Sequence, residues 1–139
     1  MKYFRSGFTL IELLVVIAII GILAAVILSS LGDARDQGIE AKVKTEMDTI
    51  AKRAAIDHSQ KFTYDTVCGS NSATQSSVII GLINDINTLA SSSVVCNSAD
   101  RSFAVSVATL SNHWCIDSLG TKKEIPAALT TSPVELACP

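Results

Sequence analysis

The chain has 139 residues, 11 of them basic and 13 acidic, with a formal net charge of −2 and a hydrophobic fraction of 48%. That fraction is uneven: 19 of the 24 residues from Phe8 to Leu31 are apolar, while the portion after Gly32 has an ordinary water-soluble composition. This distribution argues against a polytopic membrane protein, a disordered tail or a coil without a core, and leaves room for one modest domain beyond the segment.

Residues 1–7 form a short leader carrying Lys2 and Arg5. From residue 13 to residue 32 no side chain is charged, a run of 20 residues. At about 1.5 Å per residue this run matches the roughly 30 Å of a bilayer core. The expectation is a membrane-spanning helix over 8–32, with its basic flank in the cytoplasm and the rest of the chain outside. An ordinary secretory signal has an apolar stretch of about 7–15 residues and a small-residue cleavage site. Here the stretch is longer, and Ser29-Ser30-Leu31 is a poor cleavage site. Glu12 stands out in this setting. A carboxylate near the start of a membrane helix costs on the order of a few kcal/mol unless it lies shallow, faces the positive end of its helix dipole or meets a cation.

Gly7-Phe8-Thr9-Leu10-Ile11-Glu12-Leu13-Leu14-Val15-Val16-Ile17-Ala18-Ile19-Ile20-Gly21-Ile22-Leu23-Ala24-Ala25 closely resembles the class III prepilin signal of the type IV pilin and pseudopilin superfamily. The basic leader, the Gly7-Phe8 junction and a glutamate four positions after Phe8 carry the resemblance, which covers the first quarter of the chain. It implies that a membrane prepilin peptidase cuts between Gly7 and Phe8 on the cytoplasmic side and methylates the new amino group of Phe8. The mature chain then has 132 residues (139 − 7) and, without Lys2 and Arg5, a formal charge of −4 (−2 − 2). Packing of the apolar helices into a filament buries that amino group. A lone buried ammonium or carboxylate is expensive and a pair of them is tolerable. The resemblance therefore gives Glu12 an assembly role, receiving the Phe8 amine of a neighbouring subunit and fixing axial register.

Beyond Gly32, Ile39, Val43, Met47, Ile50 and Ala54 recur at three- and four-residue spacing, the apolar stripe of an amphipathic helix. Glu40–Lys44 and Asp48–Lys52 are expected as i,i+4 ion pairs on its solvated faces. The family picture makes this stretch continuous with the membrane segment to about His58 and packs the stripe on a C-terminal sheet. Gly21, Ser29-Ser30, Gly32 and Gly38 are weak points, and the proline that many relatives place near Ser29 is missing. Residues 59–77 read as loop around Gly69-Ser70-Asn71-Ser72. Val78, Ile79, Leu82, Ile83, Ile86 and Leu89 fit a short helix started by Ser76 or Ser77 and ended by Ser91-Ser92-Ser93. Phe103, Val105 and Val107 alternate with Ala104, Ser106 and Ala108 as a half-buried strand, and Trp114 and Ile116 alternate with Cys115 and Asp117 as another. A third strand is expected over Thr121–Ile125, followed by a surface tail with Pro126, Pro133 and Pro139. The fold class is α+β: a pilin fold, with a long N-terminal helix on a small antiparallel sheet. Its parts are a cleaved leader over 1–7, a membrane and filament-core half-helix over 8–32 and a globular domain over 33–139.

Cys68, Cys96, Cys115 and Cys138 all lie on the outward side, where oxidation is expected and a small domain benefits from staples. Three connectivities exist. Cys68–Cys96 brackets the short helix, and Cys115–Cys138 pins the tail to a strand and resembles the C-terminal disulfide loop of many pilins; the sequence leaves the other two pairings open. No C-x-x-C suits zinc, and no metal or cofactor is expected. Asp117, Glu124 and Glu135 are too scattered for calcium. His58 and His113 are the only histidines, and no nucleophile elbow, P-loop, H-E-x-x-H or paired-carboxylate spacing accompanies them, so no catalytic role is expected. After His58 only Lys61, Arg101, Lys122 and Lys123 face six acids, which is no footprint for nucleic acid.

The leading expectation is a structural subunit of a type IV pilus, held single-pass in the inner membrane with its domain outside the cytoplasm, then moved into an extracellular filament. The implied partners are membrane lipid, prepilin peptidase, an assembly ATPase, a platform membrane protein and copies of the chain itself. The alternatives are a pseudopilin of type II secretion and, from another class, a monotopic membrane-anchored binding domain that keeps its leader.

Overall fold

The computed structural model describes residues 7–139; Lys2, Arg5 and the rest of the predicted leader before Gly7 lie outside the described residues. Seven elements come in order: α1 (Leu10–Lys61), α2 (Asp65–Cys68), α3 (Ser77–Ala90), β1 (Val95–Ala99), β2 (Ser102–Ala108), β3 (His113–Asp117) and β4 (Lys122–Ile125). Contacts divide the chain into a unit ending at Gln37 and a second, Gly38–Pro139.

In the first unit the helix is apolar on every side over residues 13–32, so no face turns inward, and Leu10, Ile11, Ile22, Val26, Leu28 and Leu31 are all exposed. It includes the one stretch among the described residues long and apolar enough to cross a membrane.

In the second unit the predicted stripe is the buried face of α1: Val43, Met47, Ile50 and Ala54 are enclosed, and Asp57 lies on the same side. They meet Val67 of α2, Ile79 and Ile86 of α3, and Phe103, Val105, Val107 and Ile116 of the sheet in one core. The sheet runs β1-β2-β3-β4, antiparallel throughout. Val105 stands opposite Ile116 and Val107 opposite Trp114, which directs the large side chains of β2 and β3 toward α1.

Three expectations need correction. First, β2 is buried on both faces rather than half-buried, since Ala104 and Ser106 are as enclosed as Val105. Second, the reason is the tail, which lies at the surface with little regular structure, as expected, but also packs some of its residues onto the sheet. Ala104, Cys115, Ile125 and Leu129 form a second core on the far face of the sheet, and Ser106 Oγ accepts the Leu129 N–H at 3.1 Å. Asn97 Nδ2 donates to the carbonyls of Thr130 (2.8 Å) and Glu135 (2.9 Å), tying the same tail to β1. Third, Asp48 pairs with Lys122 of β4 at 2.9 Å instead of with Lys52, because β4 runs beside α1. Lys44 reaches both Glu40 (2.6 Å) and Glu124 of β4 (3.1 Å).

Two elements were not foreseen. β1 forms next to β2 over a polar stretch, and α2 forms inside the predicted loop. The α2 turn ends at Gly69, whose φ of +79° suits glycine and lets its N–H reach the Asp65 carbonyl. α2 packs on β1, so that end of the sheet is occupied, while β4 leaves the other end to the exposed Lys122, Lys123 and Glu124. A long N-terminal apolar helix, a four-stranded antiparallel sheet and two disulfides in the C-terminal region make this an α+β, pilin-like fold.

Candidate functional site

Gly7 and Phe8 precede α1 in exposed backbone outside any regular element, with Phe8 80% accessible. Thr9 and Glu12 then close a reciprocal cap. Glu12 Oε2 accepts the Thr9 N–H at 2.9 Å and the Thr9 hydroxyl at 2.8 Å, and the Glu12 N–H donates back to Thr9 Oγ1 at 3.3 Å. A helix start leaves its first N–H groups without partners, and a Thr-x-x-Glu sequence satisfies two of them at once. The arrangement also places the carboxylate at the positive end of the helix dipole. Sequence reasoning assigns Glu12 to the helix start but misses Thr9 as its partner, although Thr9-Leu10-Ile11-Glu12 spells the capping box. Past this cap the helix is an apolar cylinder to Leu31, suited chemically to lipid or to other apolar helices and to little else.

In the second unit Cys68 is bonded to Cys96 and Cys115 to Cys138, with Cα separations of 5.6 and 5.9 Å, and no cysteine is free. The first bond joins α2 to β1, and the second joins β3 to the tail. Each has a polar residue beside it. The Cys68 N–H donates to Ser98 Oγ at 3.2 Å, and the Cys138 N–H donates to Asp117 Oδ2 at 3.0 Å. Asp117 Oδ1 takes the N–H groups of Leu119 and Thr121, both at 2.9 Å. Burial works to raise the Asp117 pKa, but the donors of Cys138, Thr121 and Leu119 outweigh it and hold the carboxyl below its usual value. Asp65 is likewise lowered, chiefly by the Ser70 hydroxyl at 2.6 Å, with Thr63 and the Asn71 amide adding to it.

The residues weighed for catalysis stay apart. His58 stacks on Tyr64 with ring centroids 4.1 Å apart, and Tyr64 leans on Phe103. His113 opens β3 opposite Ala108 and Ile125. Among the described residues neither histidine hydrogen-bonds a serine or a carboxylate. The three acids considered for calcium are separately engaged: Asp117 by backbone N–H groups, Glu124 by Lys44 and Asn112, and Glu135 by the Thr130 N–H at 2.6 Å. Among the described residues no group of three or more potential ligands is arranged for a metal ion.

Comparison with known proteins bears on the N-terminal segment. Residues 4–28 match the family model described as the prokaryotic N-terminal methylation motif. No curated protein and no solved structure shows a significant match to the chain. The motif points to processing by a prepilin peptidase, to membrane anchoring through the apolar helix and to a structural subunit rather than an enzyme. Residues 4–28 are a class III prepilin signal of the type IV pilin superfamily.

Proposed function

We propose that this chain is the structural subunit of a type IV pilus filament. The peptidase removes residues 1–7 and methylates Phe8. Residues 8–32 hold the subunit in the inner membrane until assembly, and residues 33–139 remain outside the cytoplasm as the globular part. Polymerisation then exchanges lipid around the apolar helix for the helices of other copies, with an assembly ATPase and a platform membrane protein driving the transfer.

The observation that carries this reading is the part of α1 over residues 10–31, apolar on every side, whose single carboxylate, Glu12, is held at the first turn by Thr9 inside a matched methylation motif. In an ordinary anchor the carboxylate would serve only to cap the helix, which a neutral glutamine also does. A subunit that must accept the Phe8 amine of a neighbour needs the charge itself, and the Thr9 bonds keep the carboxylate tolerable in the bilayer until that partner arrives.

The test is Glu12→Ala in the native host. Mass spectrometry should find N-methyl-Phe8 at the start of both wild-type and variant chains, both in the membrane fraction, with sheared filaments recovered from the wild type alone. Normal filament yield from Glu12→Ala overturns the assembly role, and an intact Met1 overturns the pilin route altogether. Wild-type cells that shed no filaments but lose exoprotein secretion when the chain is deleted would make it a secretion pseudopilin instead.

A further inference from the structure

The two disulfides share a device that neither one alone reveals. In each, one cysteine lies in a strand, and the side chain two residues further along that strand accepts the backbone N–H of the partner cysteine. In β1, Cys96 is followed by Ser98, whose Oγ holds the Cys68 N–H at 3.2 Å. In β3, Cys115 is followed by Asp117, whose Oδ2 holds the Cys138 N–H at 3.0 Å. Residues i and i+2 of a strand point to the same side, so an acceptor at i+2 presents the incoming cysteine to the thiol at i. Asp117 is anchored by a separate turn, while Ser98 makes a second contact to the segment that carries Cys68. Ser98 Oγ lies 3.0 Å from Ser70 Oγ, and Asp117 Oδ1 is fixed by the turn between β3 and β4. The tail is seated further by Asn97 and by Leu129, which is only 4% exposed.

We propose that Ser98 and Asp117 are positioning residues that select this connectivity from the three available, each registering one cysteine before oxidation closes the bond. With glutathione disulfide as oxidant, the partly exposed Cys138 thiolate attacks one glutathione sulfur and releases the other glutathione as a thiolate. The buried Cys115 thiolate then attacks the Cys138 sulfur and displaces the second glutathione. Two cysteine thiols are oxidised, one glutathione disulfide is reduced to two thiols, and the two protons leaving the cysteines are taken up by the glutathione thiolates. Asp117 takes no part in the electron flow; it holds Cys138 within reach of Cys115.

The experiment equilibrates the reduced full chain, in detergent, with glutathione redox buffers and reads each pair by peptide mapping without reduction. Asp117→Asn should lower the closed-to-open ratio of Cys115–Cys138 by about tenfold, the scale of one hydrogen bond to a charged acceptor, and leave Cys68–Cys96 unchanged. Ser98→Ala should lower Cys68–Cys96 by about fivefold and leave Cys115–Cys138 unchanged, as fits a neutral acceptor. Crossed pairs such as Cys68–Cys138 should rise in both variants. Equal losses in both pairs, or no change in either, overturn the proposal. Because each variant is scored on its own pair, unfolding of one leaves the other to decide.

Discussion

Opening either disulfide by a double alanine substitution should cost nearly the same stability, although the two bonds hold very different pieces of structure. The bridged cysteines are 28 residues apart in Cys68–Cys96 and 23 in Cys115–Cys138. Loop-closure entropy in the unfolded chain then gives about 3.6 and about 3.4 kcal/mol. Cys115 is completely buried, so its truncation adds roughly 1 kcal/mol for lost packing, whereas Cys68, Cys96 and Cys138 are not fully enclosed. The expected losses are therefore about 3.6 and about 4.4 kcal/mol. For a domain of this size each corresponds to a fall in Tm of about 15–35 °C. Guanidinium unfolding of the full chain in detergent measures them, read by the fluorescence of Trp114, the only tryptophan. Its ring packs against the core on the side of α1, with Lys44 Nζ 4.7 Å from the ring centre, so its emission follows the domain rather than the apolar helix. The slope m should rise in both variants as the unfolded chain expands. A loss under about 1 kcal/mol for either pair, or a difference above about 2 kcal/mol between them, refutes the entropic reasoning.

Three other sites test the packing and the charges. The Asp117 carboxyl is held below its ordinary 3.8 in the folded chain, so its contribution is complete above that value and is lost as pH falls through the folded value. Asp117→Asn should therefore lower Tm at pH 7, with the gap to wild type closing below about pH 4; a gap constant with pH counts against the carboxylate. Ser106→Val should cost about 1–3 kcal/mol in denaturant, because it leaves the buried Leu129 N–H without its acceptor; an unchanged midpoint would show that the bond contributes nothing. Asp57 is 2% exposed and pairs with Arg53 at 2.9 Å, while its Oδ2 has no partner among the described residues. Asp57→Leu should be neutral or stabilising, and Arg53→Met should destabilise by about 1–3 kcal/mol, discounted because Arg53 is partly exposed; the reverse order in chemical denaturation defeats this reading.

Periodicity carries the sequence reading wherever one face of an element meets the core. The spacing of Val43, Met47, Ile50 and Ala54 marks the buried side of α1, and Ile79 and Ile86 mark that of α3. It fails where a small residue is buried for reasons outside its own element. Ala104 and Ser106 look like the wet side of β2, and only the tail, folded back from more than twenty residues away, encloses them. β1 carries polar residues on both faces, Asn97 on one and Ser98 on the other, and so shows no alternation, since its pairing comes from β2, a disulfide and the tail rather than from its own pattern. Asp48 turns to Lys122 because β4 supplies a cation that helix spacing cannot anticipate. At the N-terminus the chemistry of Glu12 is visible from its apolar surroundings. Thr9 is equally visible as a capping residue, but the membrane cost of the carboxylate overshadows the local hydrogen bonds that offset it.

The two ends of the sheet set a limit on how copies of this chain can join. One end is taken by α2, stapled to β1, and the other presents Lys122, Lys123 and Glu124, charges that discourage the addition of a foreign strand. In the language of polymers, the proposed filament would be built from a monomer whose sheet edges are blocked as branching points. Growth through the apolar helix would then run lengthwise without cross-links at the sheet. Neutral residues in place of Lys122 and Lys123 would then favour β-rich aggregation through the β4 edge.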